Sequence, residues 1–378
     1  MTFPGSDLFP TSDRVPPPSL SDRHPPEPAP VPGGFRTLPR LIWHPAGLLF
    51  TLSALSAVAL PWAWALPLTD GQAHLRLAIF GFAGAAVSGY VLTALPAWAG
   101  RGTAIPAALL AALAIIARAS ALVWPEAFLP LLPLALLGCA ILWPVLTAGN
   151  WAKLPIAAAP LALTGSEALI VSGRLQGAQL PMALAALILV VGGRAIPAFL
   201  NAERKRNGKP TRAAGPVWPA LGLLAVGVMT DATWALALVA LWVLHRAARG
   251  IRAGAANRIL CVGYAGLAPG LAAPVLNLSP MIALHLLTLF AIGPMILAFA
   301  ARITMTRRNG SLIPRRRHLS ALALILTAAL LRPLGETHPQ ALWLAGAAWS
   351  LAWALILSAH LPALLRPAPF PVFSAAQA

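Results

Sequence analysis

Residues 285–302 read HLLTLFAIGPMILAFAAR, an apolar run with His285 at one end and Arg302 at the other. At a helical rise of about 1.5 Å per residue the two side chains stand roughly 25 Å apart, close to the ~30 Å hydrocarbon core of a bilayer. His285 shares a stripe with Thr288, Leu289, Ile292 and Met295, spaced i, i+3, i+4, i+7 and i+10. The stretch reads as a membrane-spanning helix with a polar group near each face.

The rest of the chain repeats that pattern. Of 378 residues, 58% are hydrophobic and 10% charged, against about 25% charged in an average soluble domain. The fold class is therefore all-α, a polytopic transmembrane helical bundle. From Leu41 onward, apolar segments bounded by Pro, Gly or charge fall at about 41–66, 75–98, 104–124, 129–148, 154–172, 180–200, 214–229, 232–247, 259–276, 281–303, 319–334 and 340–362. That is about 12 transmembrane helices. The seventh and eighth are short and share a turn at Asp231, so they read either as two spans or as one shallow hairpin.

Three regions follow: a disordered Pro-rich cytoplasmic tail over 1–38, a transmembrane helical domain over 39–366 and a short C-terminal cytoplasmic tail over 367–378. The first holds PPPSLSDRHPPEPAPVPGG and no apolar run that would serve as a signal sequence.

A net charge of +17 would suggest nucleic acid in a soluble chain. Here the basic residues sit in short loops between apolar segments, the pattern that sets membrane orientation, and nucleic-acid binding is excluded. With both termini inside, the inner side takes most of the Lys and Arg, including the Arg204–Arg212 and Arg302–Arg317 clusters. The outer loops take Asp70, Glu126, Asp231 and Glu336, with Arg174 the basic exception. Cys139 and Cys261 lie in separate apolar segments and make no disulfide framework.

Polar groups inside spans are costly, so each is a candidate for function. They gather in three stretches. The second segment, HLRLAIFGFAGAAVSGYVLTALPAWAGR, begins with His74 and Arg76 and continues with small residues suited to close helix packing. The sixth, GGRAIPAFLN, places Arg194 beside Pro197. The third is the His285 helix, preceded by CVGYAGLAPGL from Cys261. Arg118 also falls inside a span and needs a partner: Glu167, backbone carbonyls freed by prolines, or a ligand carboxylate. His245, His318 and His360 fall at segment ends and read as interfacial.

These stretches, in this order, resemble the NnrS family of polytopic membrane proteins over residues 35–312. The marks are HxxxxxFGFxGAxxxGxxLTAxPxWxGR from His74, GGRxIPxF from Gly192, GYAxL around Tyr264 and HxLTxxAIGxMxLxxxxR from His285. The resemblance implies a bacterial cytoplasmic (inner) membrane protein that contains haem and copper and acts in the response to nitric oxide and nitrosative stress. Membrane lipid and nitric oxide or an iron-nitrosyl species are the partners it implies.

The chain also departs from the family pattern. Arg76 stands where the family usually has a second histidine, Cys261 where a histidine precedes Gly-Tyr-Ala, and Arg307 at the position of a histidine after the His285 helix. What remains as haem or metal ligands is His74 and His285, both near the outer leaflet, with His44 at the inner end of the first segment. Neutral imidazole ligates haem iron and copper. Cys261 and Met295 are candidate soft ligands for copper. Arg194, Arg118, Arg76 and Arg302 are candidate partners for haem propionates.

Two other readings fit the same sequence, a transporter or permease for a small molecule or metal, and a diverged, metal-free member with a scaffolding role. No phosphate-binding loop, hydrolase triad or metalloprotease helix appears.

Overall fold

The computed structural model describes residues 40–65, 71–103, 105–124, 127–174, 180–369 and 371–374. The N-terminal stretch 1–38 lies outside them. Each of the twelve apolar segments contains helix: α1 (Pro45–Ala65), α2 (Gly71–Ala99), α3 (Ala107–Val123), α4 (Leu129–Thr147), α5 (Trp151–Val171), α6 (Leu180–Arg206), α7 (Trp218–Thr230), α8 (Thr233–Ala248), α9 (Ala255–Ala265, continued by Leu267–Ala272), α10 (Pro280–Thr304), α11 (Arg316–Leu334) and α12 (Pro339–Leu364). Among the described residues, eight of these are long and apolar enough to cross a membrane. The exceptions are α3, α7 and α8, which are shorter apolar helices, and α9, which is interrupted at Gly266.

Local chemistry explains the helix ends. Ser279 caps α10 by accepting the Ile282 N–H at 3.2 Å, with Pro280 at the first helical position. Asp231, at φ 52°, makes the tight turn between α7 and α8. After α10 the chain forms a two-stranded hairpin, β1 (Thr306–Arg308) paired antiparallel with β2 (Ser311–Ile313). Its turn is Asn309-Gly310, both at positive φ, which is the backbone that a two-residue hairpin requires. The hairpin falls in a stretch read only as a basic loop, although Asn-Gly is the signal for it.

The core runs the length of the bundle. α12 packs along both α11 and α1, and α1 along α2, so the first and last helices are neighbours. Arg40 bridges to Pro367, and Leu41 N–H donates to the Arg366 carbonyl at 2.8 Å. α9 lies backbone-to-backbone on α10. A Cβ added at Gly263 would come within 2.8 Å of the Met295 nitrogen, and one at Gly270 within 2.7 Å of Leu287 Cα. One at Gly266 would run into the Phe290 carbonyl. Small residues replace a hydrophobic driving force that lipid cannot supply between helices. The Gly-Tyr-Ala and Gly-Gly-Arg motifs meet in the same way, with the Tyr264 ring covering Gly192 and Val217 covering Gly193.

Among the described residues, two helices contain a π turn. α2 is π-helical over Leu77–Ala83 and α10 over Thr288–Ile292. Each π turn begins three residues after a histidine, His74 and His285 respectively.

Of the stretch read as a short C-terminal tail, the described residues 367–369 and 371–374 fold back onto the bundle, with Ala368 and Val372 buried.

Candidate functional site

The two π turns face a common wedge from α12. The Phe82 ring, inside the first turn, meets Trp349 and Trp353 edge-on at 5.6 and 5.0 Å. A Cβ on Gly293, just after the second turn, would lie 2.8 Å from the Trp349 ring. The Trp349 indole donates to the Ala57 carbonyl at 2.8 Å, which fixes the wedge against α1. Ser53 donates at 2.8 Å to the Phe82 carbonyl. An extra residue in a helix rotates everything beyond it by about 100°, and π turns concentrate at functional sites for that reason. Here the rotation lets Phe82 and Gly293 both meet Trp349 while the histidine ahead of each turn keeps its own facing.

His74 and His285 lie close enough to interact electrostatically, and Arg332 at the end of α11 is a neighbour of both. The His285 Nδ1 is 2.8 Å from the Met281 carbonyl. A carbonyl only accepts, so Nδ1 carries the proton and Nε2 keeps its lone pair, the arrangement that orients imidazole ligands. His74 faces the backbone of Leu60, and its Nδ1 is buried without a hydrogen-bond partner among the described residues.

A second polar cluster begins two residues along α2. Glu167 on α5 is fully buried and takes two arginines. Arg118 donates to both its oxygens, at 2.7 and 3.0 Å, and to the Pro130 carbonyl at 2.7 Å. Arg76 reaches Oε1 through Nε at 3.3 Å and Nη2 at 3.2 Å. Bidentate pairing is the strong form of this interaction, and a buried ion pair persists only with such geometry. Arg118 thus takes two of the partners considered for it, Glu167 and a backbone carbonyl. It lines a cavity of about 150 Å³ with Leu52, Ser56, Gly81, Ala114 and Ile115.

The other candidates lie elsewhere. His44 caps the start of α1, its Nδ1 accepting the Ala46 N–H at 3.1 Å. From there to Leu60, which faces His74, α1 rises by roughly 24 Å, so the structure does not bring His44 to the pair. Met295 is buried ten residues beyond His285 against Gly263, and Cys261 is buried beside Gly250. Arg194 donates to the Ala152 carbonyl. Arg302 is buried at the opposite end of α10 from His285.

Two histidines that sequence reading left at the interface are fully buried. The His360 Nε2 lies 3.0 Å from the Ala300 carbonyl and its Nδ1 3.4 Å from Thr51 Oγ1. His318 Nδ1 accepts the Arg315 N–H at 3.1 Å, and Nε2 lies 3.0 Å from Thr304 Oγ1. Position near a segment end suggested solvent, whereas the packing of α11 and α12 supplies protein partners. Both rings are occupied as structural ties.

The donor chemistry at His74 and His285 fits haem: two imidazoles on different helices, each with a nitrogen outside any hydrogen bond, and a guanidinium within electrostatic range of both. It fits copper less well, because Cys261 and Met295 are not at the site. Among the described residues, no group of three or more His, Cys, Asp or Glu converges.

A comparison with curated proteins finds no match. The profile of the family described as NnrS protein matches residues 45–368. That is further than residues 35–312, over which the motifs carry the resemblance, because it takes in α11 and α12, the helices that supply Arg332 and Trp349. With nearly the whole helical region matched, this chain belongs to the NnrS family.

Proposed function

We propose that the protein is a haem-binding component of the nitric oxide response, held in the bacterial cytoplasmic membrane by about twelve spans with both termini inside. Family membership supports the link to nitric oxide. The haem part rests on one observation, the pairing of His74 and His285 on two helices that carry a π turn at the same offset. In this reading His74 on α2 and His285 on α10 would hold the iron, and Arg332 would pair with a propionate. Arg76 and Arg118, already engaged by Glu167, keep the adjoining helices in register. A bound haem would supply a redox-active iron centre for the response to nitric oxide. The residues contribute ligation, orientation and exclusion of water. Copper at the same imidazoles is the alternative occupant.

The functional test is survival. In a host lacking its own nitric oxide defence, the wild-type chain is expected to restore growth in the presence of a nitric oxide donor, and His285→Ala to fail at equal membrane abundance. Full rescue by His285→Ala would remove the histidine pair from the function.

A further inference from the structure

At the end of α10 opposite His285, a buried arginine, Arg302, and a half-buried one, Arg307, have no carboxylate within ion-pair distance among the described residues. Arg302 is 2% exposed and its guanidinium lies 4.1 Å from the centre of the Phe199 ring. It donates to the Asn257 side chain at 2.7 Å and to the Ala256 carbonyl at 3.3 Å. Asn257 in turn donates to Glu203, so the acid reaches Arg302 through a neutral amide. Arg307, on β1, donates to the Arg302 carbonyl at 3.4 Å. The Nε of each arginine is buried without a partner.

What covers these cations is the chain's own residues 371–373. Arg302 donates to the Phe373 carbonyl at 3.0 Å, and Arg307 to the carbonyls of Val372 and Pro371 at 2.9 and 3.4 Å. Among the described residues, every hydrogen bond from the helices and hairpin to 371–373 comes from these two side chains. The Phe373 ring sits in an aromatic box, 6.0 Å from Phe50, 5.9 Å from Tyr90 and 5.6 Å from Phe299. The segment thus presents a row of partly negative oxygens to two guanidinium groups and an aromatic ring to the box beside them. Carbonyl dipoles complement a buried cation less well than an anion does.

We propose that Arg302 and Arg307 form a binding site for a carboxylate carried on an aromatic body, with residues 371–373 as its built-in competitor. The carbonyls occupy the place of the carboxylate, and Phe373 that of the aromatic body. Ligand and segment exclude each other, so the apparent affinity is the intrinsic one reduced by the fraction of molecules whose segment is displaced. The site stands apart from the histidine pair and does not depend on it.

The test uses the full chain in detergent, with an environment-sensitive dye on Ser374→Cys in a Cys139→Ser background. Three probes are titrated: benzoate, acetate and metal-free protoporphyrin, which keeps iron ligation out of the readout. The expected result is a saturable dye response to benzoate, to protoporphyrin or to both, and none to acetate at equal concentration. Response to benzoate alone assigns the site to small aromatic acids, and to protoporphyrin alone to a tetrapyrrole dicarboxylate. Phe373→Ala, which weakens the competitor, is expected to tighten binding about tenfold. Arg307→Gln, in the hairpin rather than the core, is expected to weaken it at least about tenfold. No response in either the wild type or Phe373→Ala, or a response that Arg307→Gln leaves unchanged, would overturn the proposal and leave the segment a structural clamp.

Discussion

Glu167 has no side-chain exposure and accepts from two arginines, so its charge is the keystone of a polar cluster set among apolar helices. Removing one partner of a buried ion pair typically costs about 3–5 kcal/mol, because the other charge stays buried and uncompensated. Glu167→Ala is therefore expected to lower the thermal midpoint in detergent sharply. The double variant Glu167→Ala with Arg118→Met, which also removes one of the two cations left uncompensated and keeps only Arg76, should recover part of the loss. The cluster was partly legible in the sequence, since a guanidinium inside a span demands a partner and Glu167 was one of few carboxylates in reach. That Arg76 shares the same carboxylate was not, because nothing in spacing alone brings α2, α3 and α5 to one point. His318 and His360 show the reverse error. Their nearness to segment ends suggested an interface, and only the packed structure reveals Thr51, Ala300 and Thr304 as partners.

At the scale of elements, twelve apolar segments were readable from composition, and each contains helix. The π turns were not readable, because one extra residue per turn leaves no periodic signature over five to seven positions. Their role is testable by deletion. Removing Ala291 from the turn Thr288–Ile292 restores α-helical register and rotates His285 by about 100° relative to the lower half of α10. Haem content is expected to fall at least about tenfold while helical content by circular dichroism is kept, since ligand geometry tolerates little displacement. The α9–α10 contact gives a second check. Gly266→Ala forces a methyl group into the Phe290 carbonyl, and overpacking of this kind costs about 1–3 kcal/mol or more. Gly165→Ala in α5 has no atom within 4 Å of the new methyl and is expected to be neutral or mildly stabilising, since alanine favours helix over glycine by about 1 kcal/mol. Thermal melts of the two variants side by side distinguish close packing from a general intolerance of substitution.

For the whole molecule, the contact between α1 and α12 closes the bundle and brings the N-terminal and C-terminal parts of the described chain together. No sequence pattern announces it, because neither helix carries a strongly one-sided apolar face. The folding back of residues 371–373 was equally hidden, since Pro-rich segments at the end of a chain ordinarily read as solvated tails. The charge distribution alone carries the expected orientation, and labelling tests it. Single cysteines at Lys209 and Glu336, in an otherwise cysteine-free chain, are expected to label from opposite sides of sealed vesicles, Lys209 from the cytoplasmic side. Labelling of both from one side would overturn the arrangement of spans.

The central claim is that His74 and His285 together hold haem, and the most direct measurement is the optical spectrum of the purified protein, oxidised and then reduced, with haem quantified. The wild type and His44→Ala are expected to show the same haem bands, because His44 lies at the far end of α1 and serves as a cap. His74→Ala and His285→Ala are expected to lose the bands or shift them, at unchanged yield and helical content. Wild-type protein made under haem-replete conditions and free of haem, or haem bands that neither substitution alters, would contradict the account.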